Sequence, residues 1–400
     1  MGRSRGIRGL AALVVAWRSL CFLSPDATGH AMEHPTLQRR AVLAAGLLPT
    51  AQAAQAEVVS TGEKVVTLKN GLKFPKASFG LQVYDDETAE RLTSTALELG
   101  YRNFFASVLA GNQKGFARAV QASKVPREEI FICGSVLSNL AQDFEDAYLS
   151  TKKGCAENLE ALSAGGITEL DMILLDYPAK DCETIRGQWK AFEEMLAAGQ
   201  TKSLAVSNFS PEQLDCILQT DATPPVLNQL PYSLKNYDSN AVKENAKRGI
   251  LVQAWGPLGS GSLGLSASST CEEIGAKYGK SAAQVALRWI LQTGATFTTQ
   301  SKKQEHFAED IQIFDFQLTA EEVTKLSDIS NSVGGRISAA ADVVVPFGGA
   351  VGGALVISSV LDSFDKQAEE KDKVRETKPK GKDAKKEEEE EEEEDDDGAL

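Results

Sequence analysis

Two rhythms of apolar and polar residues take turns along the chain from Val65 to about Ser330. Short apolar runs such as ITELDMILL, TKSLAVSNF and RGILVQAW predict strands, while the stretches EQLDCILQT and SAAQVALRWILQ repeat apolar residues at the spacing of a helix with one buried face. About eight strand-helix units fit, beginning near Ala77, Arg102, Ile130, Asp171, Ser203, Val226, Ile250 and Ala295. Such alternation predicts an α/β domain whose parallel sheet is covered on both faces, and eight repeats predict closure into a (β/α)8 TIM barrel over residues 62–330. The competing fold, a doubly wound open sheet, lacks a GxGxxG turn after its first strand. Ahead of the barrel, VTLKNGLKFP sets Asn70-Gly71 between two short strands, a hairpin suited to plugging the barrel bottom.

The two ends follow other patterns. Residues 1–56 have no acidic residue before Asp26, and Arg3, Arg5, Arg8 and Arg18 flank the apolar run AALVVAW, which is too short to span a bilayer. A twin arginine at Arg39-Arg40 then precedes AVLAAGLL and small-residue cleavage sites ending at Ala53 or Ala56. Tandem signals of this kind predict a plastid protein carried on to the thylakoid lumen or its membrane; a mitochondrial presequence and a bacterial periplasmic export signal are the alternatives. Within residues 338–362, Val343 to Leu361 is 19 residues without a charge, long enough at about 1.5 Å per residue to cross a roughly 30 Å hydrocarbon core. Its Gly348/Gly352 and Gly349/Gly353 spacings would let a second helix approach. Pro346 and the glycines weaken a helix, so an apolar loop or a disordered segment stands beside the membrane span as a reading. Residues 363–400 offer almost nothing to bury and predict a disordered tail, either merely solvating or able to bind a basic partner or divalent cations.

Charge and the rarer residues narrow the chemistry. The formal charge is −14, of which Glu387 to Asp397 supply −11, leaving −3 for the rest and no basic face for nucleic acid. There are three histidines, and His30 and His34 lie in the leader. With only His306 left, a zinc site built on several histidines is excluded, and no metal is expected. No CxxC pair occurs; Cys133, Cys155, Cys182, Cys216 and Cys271 stand singly among apolar residues and read as buried free thiols.

The segment WKAFEEMLAAGQTKSLAVSNFS from Trp189 to Ser210, with VLNQLPYS, GILVQAWGPLGSG and YGKSAAQVALRWILQTG, resembles the aldo/keto reductases over about two thirds of the chain. The resemblance implies a nicotinamide-dependent barrel enzyme that reduces aldehydes and ketones. It further implies a tyrosine that donates the proton, a lysine paired to an aspartate that lowers the tyrosine's pKa, and a histidine that orients the carbonyl. In this chain GYRNFFASVLAGNQ puts Phe105 at the aspartate position and Ala110 at the tyrosine position, IFICGSVLSN puts Ser135 at the lysine position, and LLDYP puts Asp176 at the histidine position. All four have changed. Phe105 and Ala110 carry no ionisable group, Ser135 is a poor acid, and an ionised Asp176 would face the charge developing on the substrate oxygen.

The same resemblance assigns a cofactor site. Ser207, Asn208 and Gln229 match the positions that hold the nicotinamide amide, and Trp255 matches the flat ring against which it stacks. In TTQSKKQEHFAED, Ser301 and Glu309 are kept, while Gln300 and His306 stand where a lysine and an arginine would meet a 2'-phosphate. Lys302 and Lys303 lie next door, and Asp310 replaces an asparagine near the adenine. Weakened binding of NADP, with NAD or no dinucleotide as the alternatives, is therefore expected. Three functional readings stay open: a catalytically impaired relative that keeps a pocket for a nucleotide or small molecule, an active NAD(P)H-dependent oxidoreductase with Asp176 as a neutral acid, and a membrane-anchored interaction protein acting through its acidic tail.

Overall fold

The computed structural model describes residues 62–82, 84–107, 110–259 and 265–337. The leader, the apolar run from Val343 to Leu361 and the acidic tail fall outside these residues. Among the described residues no helix is long and apolar enough to cross a membrane.

The described residues open with an antiparallel hairpin of β1 (Val65–Thr67) and β2 (Lys73–Pro75), in which Val66 stands opposite Phe74. Gly71 takes φ 88°, a conformation that needs no Cβ, and its N–H donates to the Leu68 carbonyl to close the turn. Eight strands follow: β3 (Ala77–Gly80), β4 (Asn103–Ser107), β5 (Phe131–Leu137), β6 (Met172–Asp176), β7 (Leu204–Ser207), β8 (Leu227–Pro231), β9 (Leu251–Trp255) and β10 (Thr296–Thr299). Each pairs in parallel with its neighbours, and β10 returns to β3, so the sheet is a closed barrel. Every strand begins at, or one residue after, the position where the apolar pattern started it.

Among the described residues the α-helices are α1 (Asp86–Leu99), α2 (Gln113–Ser123), α3 (Phe144–Leu162), α4 (Cys182–Ala197), α5 (Pro211–Leu218), α6 (Ser239–Lys247), α7 (Leu265–Tyr278), α8 (Ala282–Gln292), α9 (Gln304–Ile311) and α10 (Ala320–Ile337). Their starts are set by side chains that satisfy otherwise orphaned N–H groups. Asp85, Asp143 and Asp181 cap α1, α3 and α4, while Ser210 with Gln213 and Ser281 with Gln284 form capping boxes at α5 and α8. The caps of α1, α3, α4 and α5 fix where strand-to-helix loops end, and such loops form the mouth of the barrel, whereas Ser281 ends the turn between α7 and α8.

Alternation along the strands divides the core in two. Phe105, Cys133, Met172, Leu174, Ala205 and Leu227 point inward and gather with Leu68 and Phe74 of the hairpin, so the plug fills the barrel floor. Phe74 meets Phe131 edge to face at 5.0 Å. The intervening residues Phe104, Ile132, Ile173, Leu175, Leu204 and Val206 point outward into the larger core beneath the helices. The same parity carries Ser107, Ser135, Asp176, Ser207, Gln229 and Gln253 to the inner face nearer the mouth.

One expectation fails on the outside of the barrel. Cys182 and Cys216 are joined in a disulfide with Cα atoms 5.0 Å apart, whereas Cys133, Cys155 and Cys271 are buried free thiols. Burial pushes the Cys155 and Cys271 thiols up to about 12. Sequence spacing puts each cysteine on its helix; only the adjacency of β6 and β7 brings the first turn of α4 beside α5. The bridge closes a separation of 34 residues, for which chain entropy predicts about 3 to 4 kcal/mol of stabilisation. Urea unfolding with and without dithiothreitol is expected to differ by roughly that amount, and a Cys182→Ser variant should match the reduced protein; equal midpoints would argue that the bridge contributes nothing.

Candidate functional site

The inner face at the C-terminal ends of β4 to β9 is a polar layer built by strand register. Ser107 stands opposite Ser135, Asp176 opposite Ser207, Ser207 opposite Gln229, and Gln229 opposite Gln253. Ser135 Oγ donates to Ser107 Oγ at 3.2 Å, and Gln229 Nε2 donates to Gln253 Oε1 at 2.8 Å. Ser107 and Gln253 escaped the reading of motifs. Their signal was present in the two-residue period, since Ser107 lies two beyond Phe105 and Gln253 two before Trp255.

A directed row of hydrogen bonds crosses this layer. Trp255 Nε1 donates to Asn208 Oδ1 at 3.0 Å, Asn208 Nδ2 donates to Ser207 Oγ at 2.9 Å, and the Ser207 hydroxyl bonds the Asp176 carboxylate. Asp176 is only 4% exposed. Burial pushes its carboxyl up to about 6, with the Ser207 hydrogen bond working in the opposite direction. Two residues at the strand ends adopt left-handed backbone, Tyr177 at φ 65° and Asn208 at φ 63°. Asn208 tolerates this region, whereas a tyrosine there costs roughly 1–2 kcal/mol. Their N–H groups donate to the carbonyls of Ser207 and Gln229 respectively, so each strain is held by the adjacent strand. Tyr177 is 43% exposed at the rim, and burial together with nearby Asp176 raises its phenol.

The four positions assigned by resemblance to proton transfer separate into two groups. Phe105 and Ser135 are buried on the inner faces of adjacent strands, with Asp176 one strand further on. Phe105 belongs to the apolar floor with Phe74 and Phe131. Ala110 lies in the loop after β4.

The nucleotide positions also divide. Ser207, Asn208, Gln229 and Trp255 come together at one side of the mouth. Asn208 uses one donor and one acceptor in the hydrogen-bonded row, and a primary amide has two of each, so a carboxamide still fits these groups. Ser301 and Glu309 belong to the segment that follows β10, the strand beside β9. Ser301 Oγ accepts from Lys303 N at 3.1 Å and lies 3.0 Å from His306 Nδ1. Glu309 accepts from the Ser281 hydroxyl at 3.1 Å, which ties α9 to the capping box of α8. Asp310 is only 6% exposed, and burial pushes its carboxyl up to about 7, with Thr299 opposing the rise and Glu309 adding to it. It lies near the Tyr101 phenol, which burial and this carboxyl raise well above its ordinary value.

With this geometry in place, comparison with known proteins is decisive on ancestry. Residues 76–331 match the aldo/keto reductase family. The chain belongs to that family. An aldo-keto reductase of Mycolicibacterium smegmatis is 31% identical over 264 residues, covering 66% of this chain and 92% of that protein. A second from the same organism is 32% identical over 284 residues, covering 70% and 95%. Among solved structures, an aldo/keto reductase from Brucella melitensis superposes with a TM-score of 0.61 at 27% identity, covering 66% of this chain and 98% of that one. The barrel is thus an aldo/keto reductase-like oxidoreductase domain, and the family implies use of NAD(P)H.

Proposed function

We propose that this aldo/keto reductase domain is catalytically impaired and that its mouth is retained for holding a nicotinamide nucleotide or another small ligand. The observation that carries this reading is the makeup of the polar layer, where Ser107, Ser135, Ser207, Gln229 and Gln253 surround a single carboxylate, Asp176. A nicotinamide nucleotide supplies hydride when bound. The chain's own part in a reduction would be to give a proton to the oxygen, and none of the serine hydroxyls or amides is an adequate acid at neutral pH. Loss of a general acid alone costs about 10²- to 10⁴-fold in rate. Ionised Asp176 adds repulsion toward a developing oxyanion.

Ser207, Asn208, Gln229 and Trp255 are the residues that would hold the nicotinamide end. Toward a 2'-phosphate the chain has Gln300 and His306 where the family has a lysine and an arginine, and this supports weakened NADP binding. A second reading, an active oxidoreductase that uses Asp176 as its acid, is favoured by the carboxyl's rise to about 6. It requires turnover to increase as pH falls through that value. For cellular location we propose export to an oxidising compartment such as the thylakoid lumen. The Cys182–Cys216 bridge supports this, because disulfides persist in such compartments and are rare in reducing ones.

The test is a side-by-side assay of the full chain and the Mycolicibacterium smegmatis relative with NADPH or NADH and a panel of aldehydes. Quenching of protein fluorescence by the nucleotides is expected, with aldehyde turnover at least a hundredfold below the relative from pH 5 to 8. Turnover within a hundredfold would end the impaired reading, and a rise confined to acidic pH would favour Asp176 as donor.

A further inference from the structure

Among the described residues, Asp176 is a buried carboxylate that no cation pairs with. None of the ion pairs among the described residues includes it. The loop segments after β4 and β9 that lie outside the described residues, 108–109 and 260–264, contain no charged residue in sequence. From the elements around it, β5 presents Cys133 and Ser135, β7 presents Ser207, β8 presents Gln229, and the following loop presents Tyr177. Of these only Cys133 and Tyr177 titrate, both interact with Asp176, and neither is ever positive. Holding an ionised carboxylate in such surroundings costs several kcal/mol unless a partner arrives.

The hydrogen-bonded row works against that cost and favours the charged form. Every donor in the row from Trp255 through Asn208 to Ser207 points toward Asp176, and such a chain polarises cooperatively in support of a negative charge at its end. The Trp255 N–H is engaged edge-on by Asn208. Its ring and the half-exposed Tyr177 supply electron-rich faces that attract cations.

We propose that the barrel mouth binds a small organic cation, an ammonium compound with an apolar or aromatic body, whose charge pairs with Asp176 and whose body packs on the aromatic rim of Trp255 and Tyr177. This rests on the reading of the mouth as a retained ligand site and names the ligand class. The ion pair is complete when the carboxyl is ionised, so affinity falls as pH drops through about 6, and binding near that pH releases a proton.

Calorimetric titration of the full chain with benzylammonium, benzyltrimethylammonium, benzyl alcohol and benzoate tests the proposal. At pH 7.5 the cations are expected to bind at least about tenfold more tightly than the alcohol, with benzoate weaker still, and at pH 5 the preference should shrink. Asp176→Asn should abolish the preference for the cations over the alcohol. Trp255→Leu should weaken the quaternary cation several-fold, so a failure of the first variant to fold leaves a second arm. Thermal unfolding of each variant reports its folding. Alcohol and ammonium binding alike, or a preference that survives in Asp176→Asn, would overturn the proposal. Nucleotide titration of the same sample separates the two readings: nucleotide binding without cation binding sinks only the cation proposal, and binding of neither sinks both.

Discussion

A chain carrying F105D, A110Y, S135K and D176H together is expected to reduce aldehydes with NADPH at least about 10²-fold faster than the native chain. The backbone already supplies the framework. Positions 105 and 135 lie on the inner faces of neighbouring strands, where Phe105 pairs with Cys133 and Ser107 with Ser135. A carboxylate at 105 could therefore reach an ammonium at 135, two residues further toward the mouth. The steps must come together for an electrostatic reason. F105D alone buries an unpaired charge among Phe74, Phe131 and Cys133, at a cost of several kcal/mol. A110Y alone adds a phenol whose pKa nothing lowers, and the remaining Asp176 opposes the charge on the substrate oxygen. Single variants are expected to gain less than about tenfold. Steady-state rates for each partial combination, read beside thermal unfolding, check this; full recovery from A110Y alone would contradict the coupling claimed.

Replacing Asp310 by asparagine is expected to stabilise the protein at pH 7.5 and to leave it unchanged at pH 4. The folded carboxyl is raised to about 7 from the ordinary 3.8. Between these values the unfolded chain has released a proton that the folded chain still holds. Stability from this group is therefore fully present below about pH 4 and is lost as pH rises through about 7. The two values differ by an amount worth about 4 kcal/mol, so D310N should gain on the order of 2–4 kcal/mol at pH 7.5. Other carboxylates run the other way: Asp85, Asp181 and Asp215 are held low by their hydrogen-bond partners, so their contribution is lost as pH falls. The difference between D310N and native urea curves at the two pH values cancels those groups. A gain that is the same at both would show that the effect is packing and not ionisation. Asparagine is also the residue at this position in the family pattern, so the side chain's shape is accommodated.

Parts of the site were legible along the chain. The reading of Phe105, Ala110, Ser135 and Asp176 needed only that motif spacing be kept, because strand ends in a barrel stand at fixed offsets from the glycines and prolines that punctuate the sequence. Ser107 and Gln253 were legible too, through the two-residue period, although no motif pointed at them. Other parts were not. The sequence places Asp310 where the family has an asparagine but does not show that α9 buries it near Thr299 and Tyr101. A helix of eight residues does not reveal which of its few polar side chains faces inward. The single-standing cysteines read as free thiols, and two of them are bonded.

The sequence by itself determined the strand order, the parallel barrel and the hairpin plug. These follow from short-range periods in the chain and from which side chains occur at given spacings. Only the tertiary structure decided the disulfide, the inward turn of Asp310 and the hydrogen-bonded row from Trp255 through Asn208 and Ser207 to Asp176. The last of these joins residues as far apart as 176 and 255 because closure of the barrel sets β6 through β9 side by side, and burial then determines which polar groups must find one another.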